Sequence, residues 1–254
     1  MPERPYALVR RPAETLADGI VTFIDRQPLD LALAKRQWDN YVAALNRNGW
    51  PTVVLDADDS MPDCVFIEDT VVMFGDLAVI TNPLRSTRNP EIVAVQRSID
   101  ELGFDTAAIT EGNLDGGDVL KVGTQIYVGL TGTTTAPAIE QLAQILAPRG
   151  YTVNAVPVTK ALHLKSAITA LPDGTVIGYE PIVDDPSMFS KFLAVPEERG
   201  SHVVILADDL LLMSSGAPRT AELLVDRGYR LETVDISEYE KLEGCVTCLS
   251  VRVR

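Results

Sequence analysis

The chain's 254 residues are 46% hydrophobic and 23% charged, enough for a full globular core, and the formal net charge of −14 excludes a nucleic-acid partner while favouring a cationic small molecule. No run reaches the roughly 18–20 apolar residues of a membrane span, and the start MPERPYALVRRPAETL lacks the apolar stretch of about 7–15 residues that marks a signal peptide. The expected setting is therefore the cytoplasm, without membrane contact, where the three cysteines Cys64, Cys245 and Cys248 stay as free thiols.

In chain order, PYALVRRP reads as a strand. A two-part pattern then repeats. AKRQWDNYVAALNRNGWPTVVLDA is a stretch with helical period, followed by a glycine, an aromatic and a short strand-like run. FIEDTVVMFGDLAVITNP follows as a hairpin turning at Gly75-Asp76. NPEIVAVQRSIDELGFDTAAIT repeats the first part, and GGDVLKVGTQIYVGL repeats the second, turning at Gly123-Thr124. TAPAIEQLAQILAPRGYTVNAVPV and HLKSAITALPDGTVIGYEP repeat both again, with the turn at Pro172-Asp173-Gly174. The next unit is shortened, with SMFSKFLAVP as its only helix candidate. SHVVILADDLLLMSSGAPR then turns at Asp208-Asp209, RTAELLVDRGYRLETVDIS gives another helix and strand, and CLSVRVR supplies a last strand.

Gly49, Gly103, Gly150 and Gly228 sit where a left-handed residue would close each helix. They are 54, 47 and 78 residues apart, and the last interval holds two compact modules. Pairing CLSVRVR with PYALVRRP closes the array into a ring of five modules and hides the strand edges at the join. The predicted fold class is α/β: one closed, pseudo-symmetric domain over residues 1–254, each module a short mixed sheet with a helix.

Equivalent places in the repeats carry polar residues: Asp63, Glu68 and Asp69; then Asp115 and Asp118; then His163; then Cys248. A ring would bring them around one axis as carboxylates, an imidazole and a thiol. GCVTCLS also has the spacing of a redox pair or half of a zinc site. Zinc needs about four ligands, and only Cys64, His163 and His202 remain, far apart in sequence. A redox pair usually opens a helix, whereas CLSVRVR alternates as a strand.

PDCVFIED, LDGGDVL, LHLKS and GCVTCLS resemble the signature segments of the dimethylarginine dimethylaminohydrolase family, in the guanidine-modifying (pentein) superfamily. The resemblance runs from RRPAETLADGI to TCLS. It implies a five-module α/β propeller. It also implies a cysteine hydrolase of Nω,Nω-dimethyl- or Nω-monomethyl-L-arginine, releasing citrulline with dimethylamine or methylamine through a thiouronium intermediate, with no metal or organic cofactor. By motif it makes Cys248 the nucleophile, His163 the general acid and base, and Asp115 the acid that orients the histidine. It gives Asp63, Glu68 and Asp69 to the guanidinium, Arg88 of RSTRN to the substrate carboxylate, and Ile20 to a lid loop.

Where many members carry a second carboxylate-binding arginine, this chain has Thr133, in GLTGTTT. Either another basic residue such as Arg85 substitutes, or the substrate has a different tail. The second case leaves an arginine or agmatine deiminase-like hydrolase as the alternative. Strand alternation would point Cys245 and Cys248 to opposite faces, making Cys245 an incidental neighbour. Carboxylates around Cys248 should raise its pKa in the empty site, and a bound guanidinium should cancel that field. A homodimer through an exposed hairpin edge is compatible with the arrangement.

Overall fold

The computed structural model describes residues 3–254. Its strands form five three-stranded sheets. The first holds β1 (Tyr6–Arg10) between β2 (Thr52–Leu55) and the last strand of the chain, and α1 (Leu31–Arg47) connects β1 to β2. The second contains β3 (Val71–Phe74), β4 (Leu77–Ile80) and, after α2 (Asn89–Glu101), β5 (Asp105–Ala108). The third contains β6 (Val119–Val122), β7 (Gln125–Leu130) and, after α3 (Ala136–Leu146), β8 (Thr152–Pro157). A single turn, α4 (Leu164–Ala167), leads into the fourth: β9 (Ile168–Ala170), β10 (Val176–Gly178) and β11 (Phe192–Ala194). The fifth contains β12 (Val203–Ala207), β13 (Leu210–Ser214) and, after α5 (Pro218–Asp226), β14 (Arg230–Val234). The chain ends through α6 (Ser237–Glu240) and β15 (Val251–Val253), which pairs antiparallel with β1.

Every sheet has the same plan. An antiparallel pair supplies the first two strands, and a parallel strand lies beyond the second. A helix makes the parallel connection in four of them, as parallel pairing requires a long crossover. In the fourth, the expected helix in SMFSKFLAVP is replaced by short 3-10 turns, including Pro186–Met188, and by β11 itself.

The local signals act as expected. Asp30 caps α1 by accepting from the N–H of Leu33 at 2.9 Å. Gly49, Gly103, Gly150 and Gly228 follow their helices with φ of 81°, 71°, 80° and 92°.

Five apolar clusters lie between successive sheets. The first packs Ala7, Val9 and the inner face of α1 on Val204, Leu206 and Leu212 of the fifth sheet. The others join the first sheet to the second, the second to the third, the third to the fourth and the fourth to the fifth. This cycle of contacts closes the five-module α/β propeller. β1, β3 and β4 are buried along their whole length because both faces meet a neighbouring module, while β5 is largely exposed. Among the described residues, no helix is long and apolar enough to cross a membrane.

Candidate active site

The loop that enters the first strand of each antiparallel pair is the equivalent position of the repeat. Asp63 and Asp69 precede β3, Asp115 precedes β6, His163 precedes β9 and Cys248 precedes β15. All five line one cavity, with Ile20, Arg85, Arg88, Thr133 and Glu243 around them.

His163 Nε2 lies 3.2 Å from Asp115 Oδ2, and its Nδ1 lies 3.8 Å from Asp69 Oδ1. The sequence DGGD builds this arrangement. Asp115 faces the imidazole, while Asp118 Oδ1 accepts from the N–H of Leu164 at 2.8 Å, fixing the backbone just after His163. A Cβ on Gly117 would stand 2.5 Å from His163 Nδ1 and 2.8 Å from Asp69 Oδ1, so only glycine admits this approach. Its N–H donates to Asp69 Oδ1 at 2.9 Å.

Burial works to lower the His163 pKa, but the carboxylates of Asp69, Asp118 and Asp115 outweigh it and raise it to about 10. His163 is therefore an imidazolium at neutral pH. Burial opposes ionisation of Asp115 too, yet its hydrogen bond and attraction to His163 hold it below the ordinary carboxylate range. Burial raises Asp63, with partial relief from Arg88 and from the N–H of Ile20, which donates to Asp63 Oδ1 at 3.0 Å.

The segment after Ile20 is anchored by Glu243, which itself lines the cavity. Its carboxylate accepts from the backbone N–H groups of Thr22 (3.0 Å), Phe23 and Ile24 (3.0 Å). Glu243 itself has φ 62°, a backbone conformation costly for a side chain with Cβ. Nothing in the motif readings pointed to this contact.

Three expectations need correction. Glu68 does not line this cavity. Lys165 Nζ and Arg252 Nη2 each lie 2.7 Å from its Oε1, and it faces a second cavity with Lys121 and Arg254. Burial favours its neutral form, but those two cations hold its pKa below the usual carboxylate value.

Arg88 does line the cavity, but all three of its side-chain nitrogens are committed to the protein. Nη1 donates to Asp69 at 2.7 Å, Nε and Nη2 donate to the buried Glu91, and Nη2 also reaches Phe66 O. Glu91 stands three residues along α2 from Arg88, a spacing that could have signalled the pair.

Cys245 and Cys248 do not point apart. β15 begins only at Val251, and residues 245–248 form a turn closed by the N–H of Cys248 donating to Cys245 O at 3.1 Å. Their sulfurs are 3.2 Å apart. Tyr41 Oη fixes this loop from α1, donating to Val246 O at 2.8 Å and lying 2.7 Å from Ser250 Oγ. The hydrogen bond with Cys245 raises the Cys248 pKa well above the ordinary thiol value, and burial, Glu68 and Asp69 add to it.

Residues 59–214 match the arginine deiminase family model. An N(G),N(G)-dimethylarginine dimethylaminohydrolase from Streptomyces coelicolor is 54% identical over 249 residues, covering 98% of this chain and 96% of its own. The chain belongs to this family. The dimethylarginine dimethylaminohydrolase of Pseudomonas aeruginosa is 31% identical over 252 residues, covering 97% of this chain and 98% of its own. The crystal structure of a dimethylarginine dimethylaminohydrolase adduct with S-methyl-L-thiocitrulline superposes with TM-score 0.90 at 29% identity, over 97% of this chain and 98% of that one. As a member of the dimethylarginine dimethylaminohydrolase family, the chain is a hydrolase of guanidino C–N bonds.

Proposed function

We propose that the chain hydrolyses Nω-methylated L-arginine, with Cys248 as nucleophile, His163 as general acid and base, and Asp115 orienting His163. The observation that carries this reading is the convergence of Cys248, the His163–Asp115 pair and the carboxylates of Asp63 and Asp69 on one cavity. The identity to the Streptomyces coelicolor enzyme supports the choice of a methylated arginine.

A guanidinium carbon is a weak electrophile because its charge is delocalised. Hydrolysis therefore needs a strong nucleophile and a proton for the departing amine. In the proposed cycle Asp63 and Asp69 hold the cation. Its charge offsets the part of the Cys248 shift that comes from Glu68 and Asp69, so binding favours the thiolate. Sulfur attacks carbon, and His163, protonated in the empty site, gives its proton to the methylamine or dimethylamine that leaves. A thiouronium stays on Cys248. Water then gives a proton to His163 and attacks the same carbon, releasing citrulline and the thiolate.

The substrate's carboxylate falls to Arg85. Arg88 is committed to Asp69 and Glu91 and acts by holding Asp69 in place. Arg85 is exposed at the cavity mouth, and its side chain makes no hydrogen bond or ion pair among the described residues. Arg85 and Thr133, the position where the second arginine is missing, line the same cavities.

A panel of Nω,Nω-dimethyl-L-arginine, Nω-monomethyl-L-arginine, L-arginine and agmatine tests the reading, with citrulline and free amine both quantified. Dimethylamine or methylamine should appear in equal amount with citrulline. Ammonia from arginine or agmatine as the dominant product would replace the proposal with a deiminase.

A further inference from the structure

We propose that Cys245 and Cys248 form a peroxide-sensitive oxidation site that closes to an intrachain disulfide and so protects the reactive thiol from irreversible oxidation. Only the loss of activity on closure rests on Cys248 being the nucleophile.

The geometry is already close to that of the product. The hydrogen bond from Cys248 N to Cys245 O makes residues 245–248 a four-residue turn. Such a turn holds its end Cα atoms within about 7 Å, and disulfides usually span Cα separations of about 4.4–6.8 Å. The sulfurs stand 3.2 Å apart, in side-chain contact, and need to close to about 2.05 Å. Nothing separates them. The N–H of Cys245 lies 3.4 Å from Cys248 Sγ, and Cys245 Sγ lies 3.2 Å from Thr247 Oγ1. Both contacts orient the thiols within the turn.

Access divides their roles. Cys248 lines the open cavity, and Cys245 lies behind it with 4% of its surface exposed. A small peroxide entering the cavity meets Cys248 first. Cys248 Sγ attacks one peroxide oxygen as its thiol proton departs, the O–O bond breaks, and Cys248 becomes a sulfenic acid while the leaving hydroxide takes a proton to become water. Cys245, as thiolate, then attacks the sulfenic sulfur. The S–O bond breaks, the oxygen leaves as a second water, and the S–S bond forms. Two thiols have given two electrons to one peroxide. Without a partner in contact, the sulfenic acid would proceed to sulfinic acid, which a dithiol does not reduce. The third cysteine, Cys64, sits in a separate cluster with Ala13 and Met61 and takes no part.

The test is to treat the full-length protein with hydrogen peroxide, block remaining thiols under denaturing conditions, and map the cysteine peptides by mass. Activity is read before and after a dithiol. The expected result is a peptide carrying Cys245 and Cys248 that is lighter by two hydrogen atoms and closed to the blocking agent. Activity should fall in proportion to this species and return with the dithiol. Cys245→Ser and Cys245→Ala should instead gain oxygen at Cys248 and lose activity that the dithiol cannot restore. Should those variants not fold, the peptide map of the unmodified chain decides alone. Oxygen addition at Cys248 with Cys245 still open to the blocking agent would overturn the proposal, as would a disulfide to Cys64. A Cys245–Cys248 disulfide that leaves activity intact would uphold the oxidation site and refute the assignment of Cys248 as nucleophile.

Discussion

His163 Nε2 and Asp115 Oδ2 meet at 3.2 Å across 48 residues of sequence, with both side chains buried. Together with the carboxylates of Asp69 and Asp118, which contribute more, the pairing makes folding a proton-binding event. His163 keeps its proton to about pH 10 in the folded chain, against 6.5 for the ordinary side chain. The associated stability is complete below pH 6.5 and is lost as the pH rises towards 10. Comparing urea unfolding of the unmodified chain and His163→Gln from pH 6 to 10 isolates this contribution. The unmodified chain should lose more stability over that range, and parallel curves would remove the imidazolium from the account.

Glu68 is predicted to act on stability. Breaking a buried ion pair by removing one partner costs about 3–5 kcal/mol, because the other charge is left buried. Glu68→Gln strands Lys165 and Arg252, so its urea midpoint should fall accordingly while KM for the substrate changes little. Adding Lys165→Met should cost less than the sum of the two single changes. A large rise in KM at unchanged stability would return Glu68 to the substrate.

Arg85→Ala should lower kcat/KM for an arginine-type substrate by roughly 10–100-fold, the value of one charged hydrogen-bonding contact of about 1.5–3 kcal/mol. Agmatine and other guanidines without a carboxylate provide the control, since their turnover should not change. Equal losses on both kinds of substrate would exclude the carboxylate contact.

Gly117→Ala places a methyl group against His163 and Asp69. Displacing a catalytic group by about 1 Å can cost about a hundredfold in rate. The expected result is a kcat loss of that size with an unchanged far-ultraviolet spectrum. An active variant would mean that the imidazole is free to move aside.

The frame of the molecule was legible because local chemistry and tertiary structure agree. Gly49, Gly103, Gly150 and Gly228 mark helix ends by their backbone freedom, and the first and last strands pair as their patterns require. The polar residues of the repeat were legible by position. What escaped was what surrounds them. Lys165 and Arg252, both far along the sequence from Glu68, neutralise it, and no short pattern announces a long-range buried counter-ion. Glu243 reaches Thr22 across 221 residues. Cys245 was misread for a local reason: the alternation of Val251–Val253 does not extend upstream, where the backbone turns instead. In the fourth module, the apolar residues Phe189 and Phe192 mimic a helix face, yet they pack in a sheet-linked cluster with Tyr127.

The most direct test is to mix the enzyme with a slight excess of Nω,Nω-dimethyl-L-arginine, quench in acid within one turnover, and map the cysteine peptides by mass. The account predicts a transient amidino adduct on Cys248 alone, formed as dimethylamine appears and lost as citrulline appears, with neither product from Cys248→Ala. Citrulline formed at an undiminished rate by Cys248→Ala, with no sulfur adduct in the unmodified chain, would contradict it.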